Sequence, residues 1–167
     1  INNDDYLYVA RHGSENLPIK FRISAVWAAR EGPLLLWAAC CSLISIIIQI
    51  NPLKNHSQKL SLKILDCFTL CLLLIAHSLN PFRLAPENSI VISAGLNPLL
   101  QTNLMIIHPP LIFAFYSCCV WIGCISISKM VTNYKSWKTK DFLEEIRIPA
   151  LMAFAIGSFG IGLGGFW

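Results

Sequence analysis

The sequence predicts an all-α integral membrane protein with about four transmembrane helices and a long loop on the outer face of the membrane. Hydrophobic residues make up 55% of the 167 residues, only 13% are charged, and the mean hydropathy is +0.59. A typical soluble domain carries about 25% charged residues. Lipid rather than water is therefore the expected solvent for most of this chain.

Four apolar stretches, each of roughly 17 to 20 residues, define the predicted spans. In chain order the elements are an outer segment 1–33, a first span 34–50, an inner loop 51–59, a second span 60–79, an outer loop 80–110, a third span 111–128, an inner basic loop 129–147 and a fourth span 148–167. Backbone groups in lipid must bond within their own segment, which favours helices.

Proline residues mark most of the predicted span boundaries. Pro33 precedes the first span, Pro81 follows the second, Pro109 and Pro110 begin the third, and Pro149 lies at the start of the fourth. Proline lacks an N–H and suits the first turn of a helix, where that group has no partner. We therefore expect these prolines at helix ends.

The distribution of basic residues predicts the orientation. Eight lysines and arginines fall within 51–63 and 129–147, whereas five fall on the other side, at Arg11, Lys20, Arg22, Arg30 and Arg83. The positive-inside rule then assigns 51–59 and 129–147 to the cytoplasmic or matrix side. The basic residues form no arm or stripe, so a nucleic-acid partner is not expected.

His108 is the strongest candidate for a functional residue. It precedes two prolines in the segment MIIHPPLIF, and these prolines restrict the local backbone. A neutral imidazole held at the membrane surface is a good axial ligand for haem iron. The alternative is an interfacial histidine bonded to a loop carbonyl.

Other unusual residues allow a structural and a functional interpretation. Arg30 and Glu31 belong either to an interfacial belt or to a rim that binds an acidic or amphipathic ligand. Lys63 and Asp66, spaced i, i+3 in the second span, are expected to pair with each other or to contact another subunit. The spacing Gly160-x-x-x-Gly164 favours close helix approach.

Two further features are weaker candidates. His77, near the outer end of the second span, is either a buried ligand or an interfacial residue. Cys67 and Cys71 share one helix face, but packing as small apolar side chains is the expected role of the seven cysteines.

Several segments, in order, resemble the N-terminal part of the CcmF-type haem lyases of cytochrome c maturation. They are YLYVARHGSENLP, AVWAAREGPLLLW, SLNPFRL, GLNPLLQTNLMIIHPPLIFAFY and IGSFGIGLGGFW. The resemblance covers most of residues 6–167. It implies a protein that positions haem b, a transient substrate, for thioether attachment to apocytochrome c on the outer side of the membrane.

The resemblance also implies roles for residues and partners. His108 corresponds to the first of two outer-face histidines that ligate haem iron. We expect Arg30, Asn97 and Gln101 to shape the haem pocket, and we assign no catalytic residue. The expected partners are a second haem-lyase fragment carrying the tryptophan-rich motif, a haem chaperone, apocytochrome c and the lipid membrane.

The sequence departs from the family pattern at three positions. Arg30 replaces a histidine, Pro33 a serine and Phe113 a tyrosine. The chain also stops at Trp167, where the tryptophan-rich motif is expected to begin. We therefore expect a split subunit of the mitochondrial inner membrane that is not active alone, or a truncated chain, with the bacterial plasma membrane as the location if the protein is not split.

Two other functions stay open from the sequence. The chain could be a non-catalytic structural subunit of a larger mitochondrial membrane complex, which the replaced histidine at position 30 favours. It could also be part of a transporter, for which Asp66 within a span is the single supporting feature.

Overall fold

The computed structural model describes residues 6–14, 16–50, 55–86, 95–132 and 140–166. Within these ranges the chain is helical and contains no named strand. The helices are α1 (Leu7–His12), α2 (Ile19–Ser24), α3 (Glu31–Ile50), α4 (His56–Ser78), α5 (Asn103–Thr132) and α6 (Lys140–Gly164), with short 3-10 segments at Ala25–Trp27 and Pro98–Leu100. The prediction of an all-α protein is confirmed.

Four of the helices, α3 to α6, are long and apolar enough to cross a membrane by length and composition. The shortest, α3, has 20 residues, and at 1.5 Å per residue such a helix spans about 30 Å. Large apolar side chains point outward, as Ile46, Leu74 and Phe154 do, and they provide the lipid-facing surface. The predicted number of spans is confirmed.

The helix α5 lies at the centre of the bundle, because it packs against α3, α4 and α6. Where α3, α4 and α5 meet, the core is formed by Ala38, Cys41, Leu65, Leu72 and Cys124. Small polar residues also join the helices. The Ser128 hydroxyl in α5 donates to the carbonyl of Ser57 in α4 at 2.6 Å, a type of contact that suits helices in lipid.

The four long helices define two ends of the bundle. The Arg30 end comprises the beginnings of α3 and α5 and the ends of α4 and α6. The Glu145 end comprises the opposite ends of the same four helices. Consecutive long helices run antiparallel, as the contacts of Gly157 with Phe115 and of Gly164 with His108 show for α5 and α6.

The third span begins earlier than the sequence predicted. The outer loop was expected over 80–110, but α5 already begins at Asn103, so Pro109 and Pro110 lie inside the helix. Pro149 is likewise inside α6, which begins at Lys140. The expectation of helix ends at Pro109, Pro110 and Pro149 was wrong, because a helix tolerates an internal proline when another group satisfies the carbonyl that it leaves unbonded.

The loops between the long helices are shorter than predicted, because the helices extend beyond the predicted spans. Helical residues at the end of α5 and the start of α6 occupy much of 129–147, and residues 133–139 lie outside the described part of the chain. In the outer loop 80–110, residues 87–94 lie outside it too, and so do residues 51–54 of the inner loop. The membrane orientation stays a prediction.

Candidate functional site

His108 is the sixth residue of α5, at the Arg30 end, and its ring packs on α6. Its Nδ1 lies 2.8 Å from the carbonyl oxygen of Gly160. A Cβ atom at Gly164 would lie 2.7 Å from Cε1 of the same ring. The two glycines therefore form the surface that receives the imidazole, and the close helix approach predicted from their spacing is confirmed.

The bond to Gly160 selects one tautomer of His108. A carbonyl oxygen only accepts hydrogen bonds, so Nδ1 carries the proton and donates it. In the neutral ring the lone pair is then on Nε2, the nitrogen that commonly binds metals when the other nitrogen donates to a backbone carbonyl. The half-buried ring is fixed in direction by this bond and by the α6 surface.

The backbone around His108 has an unusual hydrogen bond. Pro109 has no N–H to donate to the carbonyl of Met105, four residues earlier in α5. The indole N–H of Trp27 donates to that carbonyl at 2.7 Å. A side chain from the 3-10 segment before α3 thus replaces the missing helical bond one turn before His108.

No local sequence pattern indicates this role of Trp27. An indirect signal exists, because two internal prolines in an apolar helix require donors from elsewhere. The identity of the donor depends on a contact between residues 78 positions apart, which no local pattern contains.

Arg30 lines a cavity of about 360 Å³ at the Arg30 end. We call this the arginine cavity. Its lining residues are Leu7, Tyr8, Arg11, His12, Ala29, Arg30, Glu31, Leu79, Asn80, Pro81 and Arg83. Local sequence patterns predict no ligand-binding role for Arg11 or Arg83.

Burial changes the proton affinities of two side chains in the arginine cavity. It lowers the pKa of His12 below its usual value. The negative charge of Glu31 opposes this shift, and the positive charge of Arg11 lowers the pKa further. Burial also raises the pKa of Tyr8. Both groups are therefore neutral near pH 7, and the charges of the cavity come from its three arginines and Glu31.

Asn97 and Gln101 do not share the arginine cavity with Arg30. The Asn97 side chain accepts a hydrogen bond from the Leu99 N–H at 3.0 Å and caps a short 3-10 segment. The Gln101 amide donates to the carbonyl of Leu96 at 2.8 Å. Both side chains thus stabilise the segment that leads into α5, and His108 is not among the lining residues of the cavity either.

The intramembrane charges Lys63 and Asp66 do not pair with each other in the described residues. Asp66 instead accepts a hydrogen bond from the Ser45 hydroxyl of α3 at 2.7 Å, and Lys63 is exposed. The hydrogen-bond donor of the Asp66 carboxylate therefore comes from a neighbouring helix and not from the lysine one turn away.

The remaining metal-binding candidates receive no structural support in the described residues. His77 is exposed at the end of α4, and Cys67 and Cys71 are exposed thiols. Among the residues with described positions, no group of three His, Cys, Asp or Glu side chains could hold a metal ion.

Together, the fold and this site define a helical membrane protein that holds an imidazole in a fixed tautomer at one end of its bundle. The chain belongs to the cytochrome c assembly protein family, whose sequence model matches residues 27–167. This match includes His108, both glycines of its supporting surface and all four long helices.

Individual relatives agree with this assignment. The chain is 31% identical to the cytochrome c-type biogenesis protein NrfE of Haemophilus influenzae over 98% of its own length and 26% of that protein. It is 30% identical to the cytochrome c-type biogenesis protein CcmF of Escherichia coli over 100% of its length and 26% of that protein. The chain thus spans about a quarter of the curated relatives that it matches, and no solved structure matches it significantly.

Proposed function

We propose that this chain is a subunit of a membrane haem lyase for cytochrome c maturation. In this proposal it positions haem b, a transient substrate, for thioether attachment to apocytochrome c. The observation that carries the proposal is the imidazole of His108, whose direction and tautomer are set by the bond from Nδ1 to the Gly160 carbonyl, an arrangement common among metal-binding histidines. The family membership of the chain supports the same process.

The chemical contribution of this chain is positioning. Holding the haem vinyl groups beside the cysteine thiols makes their reaction effectively intramolecular, which lowers the barrier. The axial imidazole sets the electronic state of the iron. Arg30 would face the propionate edge, and Asn97 and Gln101 would act by shaping the segment before α5 rather than by touching haem.

In this proposal the chain acts together with several partners. They are a second haem-lyase fragment with the tryptophan-rich motif, a haem chaperone, apocytochrome c and lipid. The Arg30 end would face the compartment in which apocytochrome c is matured. The proposed location is the mitochondrial inner membrane, or the bacterial plasma membrane if the protein is not split.

The test replaces His108 with alanine in the membrane-embedded assembly. We expect haem attachment to apocytochrome c to fall and the Soret spectrum of the bound haem to lose the histidine-ligated form. His77→Ala is the matched control, because His77 is an exposed histidine at the same end of the bundle. Attachment and spectra that are unchanged in His108→Ala would refute the proposed role.

A further inference from the structure

The arginine cavity is lined by three arginines from separate parts of the chain. Arg11 comes from the last turn of α1, Arg30 precedes α3, and Arg83 belongs to the turn after α4. These elements lie far apart in sequence and meet at the Arg30 end of the bundle. All three residues are exposed, so their guanidinium groups are accessible to a ligand that enters the cavity.

Hydrogen bonds hold the walls of this cavity in place. The backbone N–H of Leu7 donates to the carbonyl of Arg83 at 2.9 Å. The Tyr8 hydroxyl donates to the carbonyl of Val26 at 2.8 Å and accepts from the N–H of Ala29 at 3.1 Å. The cavity is therefore built before any ligand arrives, which lowers the entropic cost of binding.

Asn80 reverses the chain direction in the part of the cavity wall that follows α4. Asn80 adopts a positive φ of 53°, the left-handed conformation that asparagine tolerates better than most residues. The reversal after α4 returns the backbone towards α1, where Tyr6 and Leu84 form an isolated bridge. Arg83 reaches the cavity because of this turn.

The charges of the cavity are not balanced within it. In the described residues none of the three arginines forms an ion pair or a side-chain hydrogen bond, and Glu31 is the single carboxylate among the lining residues. Guanidinium groups bind carboxylates and phosphates through paired N–H donors. An oxyanion in the cavity would therefore be able to bind more than one of these donors.

We propose that the arginine cavity binds the oxyanion of an amphipathic ligand, with Arg11, Arg30 and Arg83 as its donors. The ligand group is either the phosphate of an anionic phospholipid or a propionate of haem, and the haem alternative rests on the proposed function. The cavity lies between the beginning of α3 and the end of α4, two helices long enough to cross a membrane, and at such helix ends the polar groups of amphipathic molecules would meet the bilayer surface.

Two exposed apolar residues adjoin Arg83 in the chain, as an amphipathic ligand would require. Phe82 and Leu84, the neighbours of Arg83 in the chain, are 70% and 64% exposed. They would contact an acyl chain or a porphyrin ring while Arg83 binds the oxyanion. A small inorganic anion would not use this surface.

The test uses the double variant Arg11→Gln/Arg83→Gln in the membrane-embedded assembly. One arm measures retention of phosphatidylglycerol against phosphatidylcholine by native mass spectrometry. The other arm titrates haem and its dimethyl ester, in which both propionates lack charge, by absorbance. Arg147→Gln is the matched control, because this exposed arginine in the first half of α6 does not line the cavity.

We expect the double variant to weaken one anionic probe on the order of tenfold per guanidinium removed. Weaker phosphatidylglycerol retention identifies the lipid, and weaker haem binding without a change for the ester identifies the propionate. Wild-type affinity of the double variant for both anionic probes would overturn the proposal. If that variant fails to fold, Glu31→Gln replaces it. Removing this carboxylate from the cavity should raise the affinity for an anionic probe, and no rise for either probe would overturn the proposal.

The failure of this proposal is distinguishable from failure of the haem-lyase proposal. In Arg11→Gln/Arg83→Gln, haem that is bound at saturation should keep the spectrum of a histidine-ligated iron. His108→Ala should lose that spectrum and keep its anionic phospholipid. A histidine-ligated spectrum retained in His108→Ala would therefore refute only the proposal that His108 ligates iron. The measurements with anionic probes would still test whether the arginine cavity binds an oxyanion.

Discussion

The imidazole of His108 occupies the space that a side chain at position 164 would need. A Cβ at Gly164 would lie 2.7 Å from Cε1 and 3.3 Å from each ring nitrogen. We predict that Gly164→Ala displaces the ring and lengthens its 2.8 Å bond to Gly160. Haem attachment, if it depends on His108, should fall by on the order of tenfold to a hundredfold, because small misplacements are costly in catalysis.

Gly162→Ala is the matched control for this variant, because a Cβ at position 162 meets no atom within 4 Å. Both changes replace a glycine of the same helix and raise helix propensity equally. We expect Gly162→Ala to keep wild-type attachment. Equal attachment in the two variants would show that the fit between His108 and Gly164 has no functional consequence.

The bond from Trp27 to the Met105 carbonyl leads to a second prediction. Trp27→Phe keeps an aromatic ring but removes the donor at 2.7 Å, and Pro109 cannot replace it. The free energy of unfolding in detergent should fall by about 1–3 kcal/mol, the cost of an unsatisfied buried acceptor.

Trp37→Phe is the control that separates the loss of the hydrogen bond to Met105 from the loss of ring volume. Trp37 is also half-buried, but its indole N–H has no hydrogen-bond partner in the described part of the chain. This variant loses similar volume and no hydrogen bond, so we expect a smaller decrease. A decrease as large as that of Trp27→Phe would contradict the role of the Met105 contact.

The same contact explains how far the sequence predicted this structure. Hydrophobic length sufficed to predict four long helices, because lipid forces such segments to bond internally. The start of α5 was misplaced by eight residues, because Pro109 and Pro110 were interpreted as the beginning of the helix. Only the folded chain shows that Trp27 satisfies the carbonyl that Pro109 leaves.

The candidate site was predicted unevenly for a similar reason. The prolines beside His108 and the spacing of Gly160 and Gly164 are local patterns, and both predicted a structured environment. Their meeting is tertiary, since 52 residues separate His108 from Gly160. Asp66 likewise bonds to Ser45 instead of Lys63, and sequence spacing alone does not predict which of these two partners it contacts.

The lowered pKa of His12 predicts a loss of stability in acid. The unfolded chain binds a proton at this side chain near pH 6.5, whereas burial keeps the folded form neutral to lower pH. The unfolded state therefore binds more protons as pH falls below about 6.5, and stability decreases until the folded form also binds one.

His12→Gln should reduce this acid dependence of the unfolding midpoint, measured in detergent between about pH 5 and pH 8. His56→Gln, at the exposed beginning of α4, is the control and should keep the wild-type dependence. An unchanged slope in His12→Gln would mean that another group causes the acid sensitivity.

Glu145 connects three helices at the opposite end of the bundle. Its Oε2 lies 3.0 Å from Nζ of Lys129 in α5, and its Oε1 accepts from the Gln58 amide in α4 at 3.2 Å. The Lys129 side chain is only 12% exposed, so removing its partner leaves a poorly hydrated charge. Glu145→Ala should lower the free energy of unfolding by about 2 kcal/mol.

Two further variants decide whether the charge pair causes that loss. Glu144→Ala removes the exposed neighbouring carboxylate and should cost less than about 0.5 kcal/mol. Lys129→Met/Glu145→Leu removes both charges, and it should recover most of the stability because no unpaired charge stays near lipid. If the double variant were as unstable as Glu145→Ala, the loss would come from the packing of position 145 and from Gln58, not from the charge of Lys129.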